Sequence, residues 1–258
     1  MGSPRCAGQE PGNPDEADRP RRPGSRHRRT GHADKIGTLG GYANSVKGSN
    51  GGPFKIKSGL TTLTNHRILA TDFAPFKKAT DADRWAAKGV LFTRVQVPGV
   101  GPVDLYNTHC QANDGNEAYR LHNNEVLGAL MRRHEAGNPT FVMGDFNYTP
   151  SAKEYQNLVQ GLGLRDAFTE ANPKDPGYTY SPENSNIKAK ETPTRLDYIF
   201  VTGGTRFDVD VSKASRAMTQ TFDGKHASDH FAIHGQFVLR PKAAARPYGV
   251  SSVLQGGA

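Results

Sequence analysis

Apolar positions along this chain come mostly in short alternating or clustered runs, the period expected of strands. Residues 59–64 and 66–71 read as two short strands flanking a turn. Residues 89–97 (GVLFTRVQV) are rich in Val and Phe, and residues 103–108 (VDLYNT) alternate. Pro98-Gly99-Val100-Gly101-Pro102 between them predicts a β-hairpin. Residues 117–134 carry Tyr119, Leu121, Val126, Leu127, Leu130 and Met131 on an approximate helical stripe, with Arg and His at its C-terminal end. Residues 140–143 form a short buried strand. Thr149-Pro150-Ser151 with Glu154 predicts a helix start, Ser151 and Glu154 forming a capping box. Residues 196–201, 207–211 and 231–239 complete the strands. Strands outnumber helices and several join as hairpins, which predicts an α+β fold, sheet packed on sheet or on outer helices.

The ends differ from this middle. Residues 1–35 hold five prolines, and no Ile, Leu, Val or Phe occurs before Ile36. Such a segment buries too little surface to offset its ordering entropy, so disorder is expected there. It has no apolar stretch resembling a secretory signal, and no run approaches the ~20 residues needed to span a bilayer. The expected division is a basic, Pro-rich segment 1–35, a folded domain 36–239 and a flexible tail 240–258. The chain has 258 residues and a net charge of +8. Residues 1–30 and 240–258 each contribute +3, which leaves +2 for the middle. Basic ends can touch nucleic acid or anionic lipid, but a solvated tail is the simpler reading. Two cysteines, Cys6 and Cys110, exclude a disulfide framework and a Cys-rich zinc module.

The candidate chemistry stands beside apolar strands, mostly where they end. Residues 103–106 run into Asn107-Thr108-His109, and residues 141–143 into Gly144-Asp145-Phe146-Asn147. Asp197 lies within Arg195-Leu196-Asp197-Tyr198-Ile199-Phe200, and Ser228-Asp229-His230 precedes the last strand. Singly, each has a plain alternative: a capped turn, a carboxylate paired with Arg195, a polar lead-in to a strand. Together they supply three carboxylates, two histidines and an Asn, a set suited to phosphodiester hydrolysis. Carboxylates bind hard divalent cations, histidine takes a proton near neutral pH, and Asn and His can hold charge developing on phosphate oxygens.

In this order, NTH, GDFN, RLDYIF and SDH resemble the endonuclease/exonuclease/phosphatase superfamily, with its pancreatic-deoxyribonuclease-like fold. Finer features are similar to neutral sphingomyelinases: Asn107-Thr108-His109-Cys110-Gln111-Ala112, Ser58-Gly59-Leu60 followed by Asn65-His66-Arg67-Ile68, and Asp83 with Lys88 before Gly89-Val90-Leu91. The resemblance implies a two-sheet β-sandwich flanked by helices in four layers. It implies His230 as general base, Asp197 as its orienting carboxylate, and Asp145 and Asn147 as positioning groups for water and phosphate. His109 would stabilise charge or assist the leaving group, and Asp83 with Lys88 would form a switch pair; without the resemblance, a surface ion pair is the expectation for these two. Asp229 would contribute to a magnesium or other divalent-cation site. The family's opening strand ends in Asn and a later one in Gln-Glu, whose Glu binds the metal. Gln9-Glu10 offers Glu10 for that role, but no apolar segment matches the first strand, so the domain is expected to lack it. The expected function is sphingomyelin phosphodiesterase-like, on a phospholipid with possible membrane-surface contact, as a monomer. The alternatives are a deoxyribonuclease or abasic-site endonuclease, for which the weakly charged middle argues poorly, and an inactive truncated domain. Trp85 offers a membrane-touching aromatic, with core packing the simpler reading, and Tyr178-Thr179-Tyr180 a part of the substrate-side loop region, with strand packing the simpler reading; residues 182–193 are expected to form a polar loop near the site.

Overall fold

The computed structural model describes residues 40–52 and 56–243. Glu10, the basic segment 1–35 and the expected lack of an opening strand fall outside the described residues. Six strands form one mixed sheet: β3 (Arg67–Pro75), β4 (Gly89–Val97), β5 (Gly101–His109), β6 (Thr140–Asp145), β8 (Asp197–Thr202) and the two-residue β7 (Arg165–Asp166), in the order β3-β4-β5-β6-β8-β7. The expected hairpin joins β4 to β5, with Val97 opposite Gly101. The parallel pair β5–β6 is connected through α1 (Glu117–Arg133), as a parallel crossover requires.

One face of this sheet carries α1 and α2 (Lys153–Leu162) over a core that includes Phe92, Tyr106, Leu127, Val142, Leu158 and Phe200. The other face packs Val95, Val103, Phe141 and Val201 against Val209, Phe237 and Leu239 of an antiparallel ribbon, β9 (Phe207–Ala217) with β12 (Ala232–Pro241). The ribbon β1 (Asn44–Lys47) with β2 (Thr61–Thr64) touches the same sheet, Asn107 donating to the Thr61 carbonyl at 3.2 Å. The structure therefore has the α+β, sheet-on-sheet plan with outer helices. The short helix α3 (Ala167–Ala171) is capped by Asp166, whose side chain accepts from the Phe168 and Thr169 amides.

Two local expectations change. Residues 59–64 and 66–71 hold strands, but β2 pairs with β1 and β3 with β4, so the turn between them passes from one layer to the other. The Ser151–Glu154 capping box is not formed: the Ser151 hydroxyl pairs with that of Thr149 at 3.0 Å, and Ala152 is the N-cap without a side-chain bond. Glu154 is instead drawn into the core by Arg120 at 2.8 Å, since a buried carboxylate gains more from a charged partner than from an exposed amide.

The buried face of α1 is also more polar than its stripe suggests. Arg120, Asn123 and Asn124 are buried beside Leu127 and Leu130. Asn123 accepts from the Gln111 amide at 2.9 Å, and Asn124 donates to the Glu154 carbonyl at 2.9 Å. These polar residues tie α1 to the loop that follows β5 and to the first turn of α2.

Candidate active site

His109, Asp145 and Asp197 stand in one row across three neighbouring strands, His109 paired in register with Asp145 and Asp145 with Asp197. Side chains alternate along a strand, so these three share the face of Leu105, Met143 and Ile199. The row is thus the polar end of an otherwise apolar surface. Gly144 makes the row possible. Its φ is +143°, and a Cβ there would lie 1.9 Å from the Thr108 carbonyl oxygen of the adjacent strand. Asn147 turns the chain away with φ 55°, a conformation that Asn tolerates, and its amide donates to Asp145 Oδ1 at 2.9 Å.

His230 reaches this row from the segment before β12. Its Nδ1 lies 2.7 Å from Asp197 Oδ2, and its other ring nitrogen has no protein partner among the described residues. Arg195 is not the partner of Asp197; it is buried against Asp166 at 2.9 Å. His109 Nε2 is 3.4 Å from Asp145 Oδ2. The Asn147 side-chain amide donates to the Cys110 carbonyl and to Asp145 Oδ2, each at 3.2 Å. A cleft of about 600 Å³ opens over His109, Asp145, Asn147, Asp197, Asp229 and His230, and Asn113 and Tyr180 also line it. Asp229, the expected metal ligand, is exposed on the cleft wall.

Asp83 and Lys88 are not a surface pair. Lys88 is buried and Asp83 half-buried, the two are 2.8 Å apart, and Lys88 also donates to the Cys110 carbonyl at 2.9 Å. Asp83 accepts from the Ala112 amide at 2.8 Å. The pair therefore braces the loop after His109, and the Cys110 carbonyl links Lys88 to Asn147.

The charges in the cleft are unbalanced. Burial and the neighbouring Asp197 push the Asp145 carboxyl well above its usual range, with His230 opposing them. Burial and the Lys88 ammonium lower the His109 ring, which favours its neutral form. For His230, burial works against the charged ring, but the hydrogen bond and charge of Asp197, helped by Asp145 and Asp229, raise it to about 9. Because the folded value lies above the unfolded one, this group stabilises the fold fully below pH ~6.5 and loses that contribution as pH rises through about 9. An NMR titration of the metal-free protein should show His230 protonated at pH 7, and Asp197→Asn should move its midpoint down by more than one pH unit. A wild-type midpoint at or below 6.5 would contradict this charge arrangement.

Two carboxylates and an imidazole, from Asp145, Asp197 and His230, place ligand atoms within 4.8 Å of one another. A pair of facing carboxylates whose repulsion raises one of them fits a hard divalent cation, which would relieve it.

These motifs extend over most of the chain. The profile of the endonuclease/exonuclease/phosphatase family matches residues 9–230. The chain belongs to this family. The sphingomyelinases of Mycobacterium tuberculosis (strain ATCC 25618 / H37Rv) and Mycobacterium bovis (strain ATCC BAA-935 / AF2122/97) are each 26% identical over 201 residues, 76% of this chain. The match spans 40% of the length of those curated relatives. Among solved structures, Staphylococcus aureus beta toxin superposes with a TM-score of 0.61 at 18% identity, covering 79% of this chain and 81% of that one. D. rerio TDP2 complexed with a single-strand DNA product superposes with a TM-score of 0.66 at 18% identity, covering 80% and 81%. Both likenesses support the deoxyribonuclease-like fold.

The cleft also holds Tyr180 and Asn113, to which the sequence motifs assign no role. Tyr180 is not strand packing alone: it lines the cleft, its ring edge-on to His230 at 5.3 Å between centroids. Asn113 stands at the cleft with φ 71°, and its position after the NTHCQA run was the available signal. Trp85 is not a core residue. It is 54% exposed, with the Arg84 guanidinium 5.1 Å over its ring.

Proposed function

We propose that this chain hydrolyses the phosphodiester of a phospholipid of the sphingomyelin type, acting as a monomer at a lipid surface with magnesium or another divalent cation bound. The supporting observation is the row His109–Asp145–Asp197 with His230 hydrogen-bonded to Asp197 in one open cleft. The similarity to sphingomyelinases favours the lipid over other phosphodiesters. Asp145 and Asp197, with Asp229 at the cleft wall, are the carboxylates available to a cation, and Glu10 remains a further candidate ligand. The bound cation would neutralise charge on the phosphate.

A cation at the neighbouring carboxylates would offset their charge and lower the His230 ring toward its neutral form, which takes a proton from water at its Nε2, while Asp197 holds Nδ1 and stabilises the imidazolium. The water oxygen bonds to phosphorus as the bond from phosphorus to the lipid oxygen breaks, and the departing oxygen takes up a proton. Asp145 and Asn147 position the water and the phosphate. His109 faces the reacting phosphate oxygens as a donor. The hairpin β10 (Thr221–Phe222) with β11 (Lys225–His226) precedes the His230 segment. Met218 and Phe222 are 63% and 70% exposed there, which suits contact with a lipid surface.

The test is phosphocholine release from sphingomyelin in mixed micelles, run beside duplex DNA cleavage. Release that stops with a chelator and returns with excess magnesium is expected. DNA cleavage with steep salt dependence, and no phosphocholine, would replace this reading with the nuclease one. Activity on neither substrate would identify an inert domain.

A further inference from the structure

Residues 179–186 grip both halves of the Asp197–His230 pair. Thr179 is fully buried. Its hydroxyl oxygen accepts from the Leu196 amide at 3.1 Å and from the Asp197 amide at 3.2 Å. Its carbonyl accepts from the Phe231 amide at 2.8 Å. One residue thus touches the strand that carries Asp197 and the residue directly after His230. Its own amide donates to the Thr194 carbonyl at 3.0 Å, which fixes it to the approach of β8.

The second grip comes from the other side of His230. Asn184 is also fully buried, and its side-chain amide donates to the Ser228 carbonyl at 2.9 Å. Asn186 donates to the same carbonyl at 3.0 Å and to the His226 carbonyl at 3.0 Å. The Asn184 side-chain oxygen accepts from the Asn186 amide at 3.0 Å, so the two asparagines act as one unit. His230 is held at the residue after it by Thr179 and two residues before it by Asn184.

We infer that Thr179 and Asn184 are positioning residues that set the geometry of the Asp197–His230 pair. The inference rests on the proposed hydrolase reading for its kinetic consequence, but not for its structural one. The physical reason is that His230 sits on a segment outside the regular strands, at the start of β12. Its ring can meet Asp197 at 2.7 Å only if that segment is held in place. A displacement of about 1 Å in such a site can cost about 10²-fold in rate. Burial strengthens the hold, since a donor or acceptor left unpaired in a dry site is costly.

The experiment compares Thr179→Val, Thr179→Ser and Asn184→Asp in the full chain. Valine keeps the shape of threonine and removes the acceptor, serine keeps the acceptor, and aspartate cannot donate to Ser228 when ionised. Thr179→Val should lower kcat by about 10²-fold with KM within about 3-fold, and Thr179→Ser should recover kcat to within about 5-fold. Asn184→Asp should lower kcat by about 10-fold, and it serves as the test if Thr179→Val does not fold. The second readout needs no substrate: the low-field proton resonance of the His230 Nδ1–H bonded to Asp197. It should persist in Thr179→Ser and be lost or shifted in Thr179→Val and Asn184→Asp. Resonances and kcat like wild type in the folded variants overturn the inference, as does equal kcat loss in Val and Ser. If the wild type hydrolyses neither lipid nor DNA, the hydrolase reading fails and the resonance comparison alone decides this inference.

Discussion

His230→Ala is expected to lower the rate of phosphodiester hydrolysis by about 10³-fold or more, with little change in the melting temperature. Among the described residues, the ring is the one base in the cleft with one nitrogen held by a carboxylate, at 2.7 Å, and the other without a protein partner. His109 is no substitute. It stands across the row at 3.4 Å from Asp145, and no carboxylate orients it as Asp197 orients His230. The fold should survive because His230 precedes β12 and contributes to neither hydrophobic core. Initial rates on mixed micelles, with circular dichroism on the same samples, make the comparison, and Asp145→Ala should behave similarly. Turnover within a few-fold of wild type in a folded His230→Ala protein would sink the general-base assignment. Metal affinity measured by calorimetry on the variant separates loss of a base from loss of a ligand.

Arg120→Ala is expected to destabilise the protein by about 3–5 kcal/mol, the cost of leaving a buried carboxylate without its partner. Arg120 and Glu154 are both buried, with Nε 2.8 Å from Oε1. Arg120 also donates to the Asn113 carbonyl at 2.7 Å, so the variant should loosen the cleft loop as well. Urea unfolding followed by tryptophan fluorescence and by circular dichroism measures the change. The double variant Arg120→Met/Glu154→Leu should recover most of the loss, because removing both charges removes the stranded one. A single-variant loss below about 1 kcal/mol would show that water reaches Glu154 and that the pair is not a structural anchor.

Much of the sheet was legible because side-chain alternation is a local property of a strand. The hairpin of β4 and β5, the helix at Glu117–Arg133 and the strand before Asp145 all follow from spacing of two or of three to four. Each apolar run stops at a polar residue, which marked His109 and Asp145. The failures share a cause. The capping box reads correctly from four neighbouring residues, yet Glu154 bonds a residue 34 positions away. Asp197 has Arg195 two residues off on the chain, but its partner is His230, 33 positions on. Asp83 and Lys88 look like a surface pair until the loop after His109 closes over them.

The strands, the α+β class and the polar residues beside or at the ends of apolar strands follow from periodicity within a few residues, and so can be read from the chain alone. Which carboxylate meets which histidine, the Cys110 carbonyl shared by Lys88 and Asn147, and the bonds from Thr179 and Asn184 to the segments around Asp197 and His230 emerge only once the sheets are packed. The physical reason is that a buried polar group must find a partner, and the partner is whichever remote segment the packing of the sheets brings within hydrogen-bond distance.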